Sequence, residues 1–295
     1  MTKIALVTAR PARGLDDDLP PLQDALRNAG ADIDVVDWDD ATADWSRFDL
    51  ALLRSTWDYT ERVEEFLDWA QRAAAQTQLL NPLGVVRWNT DKHYLHDLES
   101  AGIATVPSVF IEPDDDVQAC LDDFLRRHAS AEFVVKPAIG AGSRDAQRYA
   151  RGQRDAALAH VRRLLADRRS ALLQPYLDRV DEHGETALIY FGGEFSHAIR
   201  KGPLLKPNEG PTRALFAAEH ITGRAPDAAE LHLAGRTLAA IPFARPLTYA
   251  RVDLIHDAQH APCVLELELT EPSLFFAHSA GSAERFVRAV LAGRA

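Results

Sequence analysis

Cysteine is nearly missing from this chain: Cys120 and Cys263 are the only two among 295 residues. Two thiols so far apart build neither a disulfide framework nor a clustered zinc site, and they suit a reducing cytoplasm. Positive charge is short as well. Lys and Arg total 33 against 44 Asp and Glu, a formal net charge of −11, which excludes a protein that tracks nucleic acid through a basic face but leaves room for a small anion in a local basic pocket. No stretch approaches the roughly 18 apolar residues of a membrane span, so no membrane partner is expected. Met1 runs straight into the strand-like Ile4-Ala5-Leu6-Val7 without the basic and apolar segments of a signal peptide. Internal repeats and low-complexity tracts are also absent. There is no Gly-x-Ser-x-Gly elbow and neither Cys has a His beside it, so no protein nucleophile stands out. What remains is a chain with 46% hydrophobic residues, long enough for two or three lobes.

The patterning divides it. Lys3 to Thr8 reads as a buried strand, Leu19 to Ala29 as an amphipathic helix stopped by Gly30, Ile33 to Val36 and Leu50 to Leu53 as further strands, and Arg62 to Ala75 as a second helix. Such alternation implies an open parallel sheet over residues 1–85, with ligand groups at its strand ends, where Arg54, Ser55 and Trp57 lie. A central lobe over 86–175 would hold a helix at Asp91 to Ala101, a strand at Phe133 to Lys136, a helix at Ala156 to Ala166 and a strand at Leu172 to Gln174. The last lobe, 176–295, turns β-rich. Ala187 to Phe191 and Phe195 to Ile199 flank a Gly192-Gly193 hairpin turn, and Ala250 to Ile255 pairs with Val264 to Leu269. Leu231 to Ala240 and Ala283 to Leu291 are helices, and the Pro- and Gly-rich 202–226 segment reads as a long functional loop. The expected class is α/β with α+β lobes.

Chemistry concentrates on the pair Arg251-Val-Asp253 and Val264-Leu-Glu266-Leu-Glu268-Leu-Thr-Glu271-Pro-Ser273. Alternation along a strand puts Glu266 and Glu268 on one face and Leu265, Leu267 and Leu269 on the other, with Asp253 and Arg251 able to join the acids from next door. Packed carboxylates repel unless a cation offsets them, and magnesium prefers such oxygen donors. A solvated acidic strand face would carry the same letters. Upstream, Lys92 and Lys136 with the Gly140-Ala-Gly142-Ser143 loop can surround phosphate oxygens with charge and backbone N–H groups, although the loop also suits an ordinary turn. Gln174-Pro-Tyr176-Leu177 leaves a strand in a Pro-fixed extended segment whose backbone can meet a purine edge, and Glu185 beyond it can accept from ribose hydroxyls. An edge strand with a turn reads equally well there.

Taken in order, the Asp91-Lys92 helix, the Val134-Val-Lys-Pro137 strand, the glycine loop, the Gln-Pro-Tyr hinge, the acid after it and Asp253 with Glu266-x-Glu268 resemble the ATP-grasp superfamily over nearly the whole chain. Within it the chain resembles the glutathione synthetase type, and more closely the cycloserine synthetases that ring-close O-ureido-D-serine. That closer match lies in Asp44-Trp-Ser-Arg-Phe48, Arg54-Ser-x-Trp57, Val86-Arg-Trp88, His183-Gly-Glu-Thr186, Ser196-His-Ala-Ile199 and Leu265-Glu-x-Glu-Leu-x-Glu-Pro-Ser273, together with the strand and hinge segments. The resemblance implies an ATP-grasp fold behind an N-terminal parallel-sheet domain. It further implies Lys92 and Lys136 on ATP phosphates, Lys136 also near the adenine, and Gln174, Tyr176 and Leu177 beside the purine. Glu185 would take the ribose, with Asp181 as competitor. Asp253, Glu266 and Glu268 would hold the metals, two magnesium ions with manganese as substitute. The glutathione synthetases have Asn where Glu268 stands, so one negative charge is added here. Arg251 would stabilise the transferring phosphoryl group and Lys201 would assist the γ-phosphate, while salt bridges to the neighbouring acids would occupy both side chains equally well.

These groups imply a ligase that moves the γ-phosphoryl of ATP onto a substrate carboxylate and lets a nitrogen displace phosphate. Arg54, Ser55 and Trp57 would face Glu271 and Ser273 across the cleft and hold a small amino-acid-like zwitterion, though Trp57 equally suits a core position. The 202–226 loop, with Thr212, Arg213 and Phe216, would cover the site. An intermolecular amino-acid or peptide ligase and a nucleotide-binding regulator without turnover are the alternatives, the second opposed by the intact acids and Arg251. The resemblance also admits a homodimer.

Overall fold

The structure, a computed structural model, describes residues 1–206, 210, 220–244 and 246–293. Thr212, Arg213 and Phe216 therefore lie outside the described residues.

Three sheets follow one another along the chain. The first is fully parallel in the order β2-β1-β3-β4, from β1 (Lys3–Thr8), β2 (Asp32–Asp37), β3 (Leu50–Ser55) and β4 (Gln78–Leu80). Its crossovers carry α1 (Leu19–Asn28), which opens on Pro20 and closes before Gly30 at φ +81°, and α2 (Val63–Ala74). The run Ile4 to Val7 is buried on both faces, as a parallel strand between helices requires. Trp38, Trp45, Phe66 and Trp69 fill one side. On the other side Ile4, Leu6, Leu22 and Leu26 share a core with Ile189, Phe191 and Phe286, which joins the first sheet to the third.

Two short helices, α3 (Leu83–Asn89) and α4 (Tyr94–Ser100), lead out of the first sheet. The helix expected over Asp91 to Ala101 begins at Tyr94, because Asp91 turns back to accept from the His93 backbone N–H at 3.1 Å and so holds a turn. The second sheet is antiparallel, in the order β5-β8-β6-β7, from β5 (Val109–Ile111), β6 (Glu132–Pro137), β7 (Gln147–Ala150) and β8 (Ala171–Pro175). Helices α5 (Val117–Arg127) and α6 (Arg154–Ala166) back it.

After the short α7 (Val180–His183) the third sheet runs β11-β10-β9-β12-β13, from β9 (Glu185–Phe191), β10 (Glu194–Lys201), β11 (Ile221–Arg224), β12 (Tyr249–His256) and β13 (Pro262–Glu268). Gly192 and Gly193, at φ +59° and +84°, make the two-residue turn between β9 and β10. Helix α8 (Ala228–Ala240) covers the face away from the first sheet and α9 (Ser282–Ala292) lies on the near face. Two expectations are corrected here. The 202–226 segment is not loop throughout, since Ile221 to Arg224 pairs with Lys201 to Ala198, where the outer edge of β10 needs a partner. Strict alternation along β13 also fails: Asp253 pairs with Glu266 but Leu254 with Val264, so Leu265 is the extra residue of a bulge.

Beyond a parallel bridge from Thr105 to Val264, the outer edge of β13 is held by side chains. Asn89, at the end of α3, donates to the Leu267 carbonyl at 2.7 Å and accepts from the Leu269 N–H at 2.6 Å, while the Tyr94 hydroxyl accepts from the Leu267 N–H at 2.9 Å. Asn89 is buried, so Asn89→Ala leaves two backbone groups without partners or water. Urea unfolding should show a loss of about 2–4 kcal/mol; a change below about 0.5 kcal/mol, the ordinary surface value, would contradict the clamp.

Candidate active site

The clamped strand floors a cleft of about 450 Å³ lined by the second sheet, the third sheet and two loops of the first. From the second sheet come Val134, Lys136 and Gln174, then Tyr176 and Leu177; from the third come Glu185, Lys201, Arg251, Asp253, Glu266 and Glu268; Trp57, Glu271 and Ser273 stand at the far end. Lys92 enters because its backbone N–H donates to the Ala138 carbonyl at 3.0 Å, which sets its ammonium 2.8 Å from the Gly140 carbonyl. Gly142 and Ser143 line the same wall, with Gly142 at φ +60°, where a side chain is strained.

Cross-strand register assembles the charges. Asp253 sits opposite Glu266 and Arg251 opposite Glu268. The Arg251 guanidinium donates to both Asp253 oxygens, at 2.8 and 2.9 Å, to Glu268, and to the Ser273 carbonyl at 3.0 Å. Lys201 lies 2.7 Å from Asp253 and 2.5 Å from Glu185, and Lys92 lies 2.9 Å from Glu266. The salt-bridge reading of Arg251 and Lys201 is therefore realised, but inside the cleft rather than on a solvated surface. Lys136 differs: among the described residues it has no ion-pair partner, and burial pulls its ammonium down to about 8. Such a cation in a cleft wall is suited to an incoming anion.

The carboxylates divide. Burial opposes ionisation of Asp253, but Arg251 and Lys201 outweigh it and hold the acid well below the ordinary carboxylate range. Burial opposes ionisation of Glu266 too, but Lys92 and Lys136 outweigh it and lower its pKa. Among the described residues Glu271 makes no ion pair; burial, with Glu268 next, pushes it up to about 8 against the Tyr59 hydroxyl and the Lys92 ammonium, which favour its charged form. Glu185 and Glu268 are raised by burial as well. From about pH 4.5 to 8 the folded chain thus keeps protons that the unfolded chain has released, so stability falls as pH rises through that window. Asp253 and Glu266, being lowered, act below it. The melting temperature of the chain should drop by several degrees between about pH 5 and 8, and added magnesium should restore more at the upper end, where Glu268, which we propose as a metal ligand beside the already ionised Asp253 and Glu266, has lost its proton. A flat profile would contradict the carboxylate burial.

The expected residues outside the cleft lining are Arg54, Ser55 and Asp181. Arg54 and Ser55 are fully buried beneath it. Arg54 donates to the Pro272 carbonyl at 3.2 Å, so it supports the Glu271–Ser273 segment from behind. Asp181 accepts from the Tyr176 hydroxyl at 2.6 Å and from Arg148 at 3.2 Å, turned away from the cleft. Trp57 does face the cleft, its indole N–H donating to the Glu271 carbonyl at 3.3 Å. Several lining residues went unread: the Asp16–Asp18 loop, Tyr59, Asn89 and Phe275. The loop after β1 was legible as another strand end of a parallel sheet. Asp18 ties it down by accepting from the backbone N–H groups of Leu274, Phe275 and Phe276 at 2.5, 2.9 and 2.8 Å. Tyr59, Asn89 and Phe275 carry no local signal.

Four relationships with known proteins bear on this cleft. Residues 4–81 match the family model described as the N-terminal domain of D-cycloserine synthetase DcsG. The whole chain is similar to the cycloserine biosynthesis protein DcsG of Streptomyces lavendulae, 42% identical over 292 residues, 97% of each chain. The crystal structure of D-cycloserine synthetase DcsG superposes with a TM-score of 0.94 at 40% identity, covering 99% of this chain and 100% of that one. The ATP-grasp ligase PsnB, in complex with a minimal precursor, Mg and ADP, superposes at 0.64 with 16% identity over 99% and 98% of the chains, a likeness of fold alone.

Proposed function

Given that this chain belongs to the D-cycloserine synthetase family of ATP-grasp ligases, we propose that it ring-closes O-ureido-D-serine to D-cycloserine, an ATP-dependent ligation within one small substrate. The reading rests on one observation: the likeness to a cycloserine synthetase runs the length of the chain, and within it the phosphoryl-transfer groups share a cleft with a separate polar end at Trp57, Glu271 and Ser273.

The cleft fits ATP and magnesium on its own chemistry. Leu177, Val180, Ile255 and Leu265 form an apolar wall beside the Gln174–Tyr176 hinge, suited to a purine whose edge meets hinge backbone. Glu185, which lines the cleft, suits the ribose better than Asp181, which does not. Lys136, Lys92 and the Gly142-Ser143 loop suit the phosphates, and Asp253, Glu266 and Glu268 form an oxygen donor set for two magnesium ions or manganese. A metal ion held by these three acids would supply positive charge to offset the charge that develops on the phosphate oxygens. Arg251 then orients and stabilises the transferring phosphoryl group, and Lys201 supports it through Asp253. A substrate carboxylate oxygen attacks the γ-phosphorus and ADP leaves. The oxygen-bound ureido nitrogen attacks the resulting acyl carbonyl and loses its proton, and phosphate departs as the ring closes; water then cleaves the bond from that nitrogen to the carbamoyl carbon, which leaves as carbamate and breaks down to ammonia and carbon dioxide.

The sheet ranges 3–80, 109–175 and 185–268 support divisions near residues 85 and 175. Two free cysteines suit a cytoplasmic site, and among the described residues no helix is long and apolar enough to cross a membrane. A homodimer is our reading from family resemblance. Phosphate release with ATP and magnesium tests the function. Release should require only O-ureido-D-serine; a requirement for two amino acids would replace this reading with intermolecular ligation, and tight ATP binding without release under any pairing would leave a nucleotide-binding regulator.

A further inference from the structure

On the face of the third sheet away from the cleft, His183 at the end of α7, Glu230 in the first turn of α8 and His256 at the end of β12 converge, with one donor atom from each lying within 4.8 Å of the others. Glu230 Oε1 stands 3.9 Å from His183 Nε2 and 3.8 Å from His256 Nε2, and the two imidazole rings are 4.2 Å apart. We infer that this trio is a second metal site, separate from the ATP cleft, for a zinc-class divalent ion.

Glu230 is 2% exposed, and a carboxylate that deeply buried calls for a cation. Its Oε2 is accounted for by the capping box of α8, accepting from the Asp227 N–H at 2.9 Å. Among the described residues Oε1 accepts the Thr186 hydroxyl alone, at 2.6 Å, and otherwise faces the imidazoles. Burial, the largest influence on both rings, pulls them below the ordinary histidine range, so they present lone pairs instead of positive charge. Among the described residues the buried Nδ1 of His256 has no hydrogen-bond partner.

Two neutral imidazoles and a carboxylate are a zinc donor set of the kind that leaves a fourth position open. A tetrahedral ion with bonds near 2.0 Å sets its ligands about 3.3 Å apart, so each imidazole must draw in toward Glu230 by about half an ångström. His183 is half-buried, which leaves the fourth position facing solvent. Arg224 occupies the approach: its Nη2 donates to His183 Nε2 and its Nη1 to the His183 carbonyl at 3.0 Å. Arg224 is the last residue of the edge strand β11, partly exposed and able to withdraw. Metal entry exchanges the guanidinium for the ion. The ion would tie α7, two residues ahead of Glu185, to α8 and β12, bracing the segment that leads into the nucleotide end of the cleft.

The test uses the full chain stripped with a chelator and titrated with zinc for melting temperature and with cobalt for its visible ligand-field bands. Zinc should raise the melting temperature of the wild type and of Glu266→Gln alike. Arg224→Ala should bind at least about tenfold more tightly, one power of ten being about 1.4 kcal/mol, because the competing guanidinium is gone. His183→Ala and His256→Ala should each lose the zinc response and the cobalt bands. The half-buried His183 keeps the test informative if His256→Ala does not fold. An equal zinc response in wild type and His183→Ala, or no uptake by Arg224→Ala, overturns the site.

Discussion

Glu266→Gln should fold, bind nucleotide and lose turnover by a factor of about 10³ or more, the scale of removing one group that holds transition-state charge. The amide is isosteric and can still accept from Lys92, now 2.9 Å from Glu266, so the local contacts survive. What disappears is one unit of negative charge opposite Asp253, at the position where we place the metal. Arg251 cannot compensate, because a cation does not substitute for an oxygen ligand. The loss should fall on kcat, since Lys136 and the hinge that we assign to nucleotide binding are untouched. The measurement pairs steady-state phosphate release with magnesium titration, and the apparent magnesium affinity should weaken in parallel. Activity within tenfold of wild type would remove Glu266 from the metal set. A variant that fails to fold would instead make Glu266 chiefly the counter-ion of the buried Lys92.

Much of this architecture is written locally, and the exceptions share a cause. Strand β1, helix α1, the Gly192-Gly193 hairpin and the β12–β13 pair carry enough period or punctuation to be placed within a few residues. Strands β4, β5, β7 and β11 have three or four residues each, too few to show a period, and exist because a longer neighbour offers an unpaired edge. Helix α5 is a different kind of miss. Asp116 caps it by accepting from the Gln118 and Ala119 backbone N–H groups, a signal present in the letters but hidden among the acids of 114–116. In the cleft, alternation correctly put Asp253, Glu266 and Glu268 together, whereas the bulge at Leu265 comes from pairing geometry that letters do not carry. Arg54 shows the limit of the strand-end rule. It stands at the correct end of the first sheet, yet its side chain runs inward to the Pro272 carbonyl, more than two hundred residues away in sequence. Asn89 and Asp18 likewise act on backbone supplied by a distant segment.

Arg251→Lys should be the most selective lesion, lowering kcat by about 10²–10³ with little change in ATP affinity. In the free chain the guanidinium spans both oxygens of Asp253, Glu268 and the Ser273 carbonyl at once. It therefore links the acid pair to the segment that carries Glu271 and Ser273. Burial works against its charge, but Asp253 and Glu268 outweigh burial and raise its pKa, so the cation is held at every working pH. A lysine keeps the charge but offers one donor centre, which cannot reach Asp253 and the Ser273 carbonyl together. Asp253 retains Lys201, so the fold should lose no more than about 1–2 kcal/mol, whereas Arg251→Met leaves Glu268 and Asp253 short of a buried cation and should cost about 3–5 kcal/mol. Hydroxylamine trapping separates the chemical steps, because it captures an acyl phosphate as a hydroxamate. If Arg251 acts in phosphoryl transfer, hydroxamate formation and phosphate release fall together in Arg251→Lys. Hydroxamate appearing at the wild-type rate while ring closure slows would move its action to the second step, where the tetrahedral intermediate collapses.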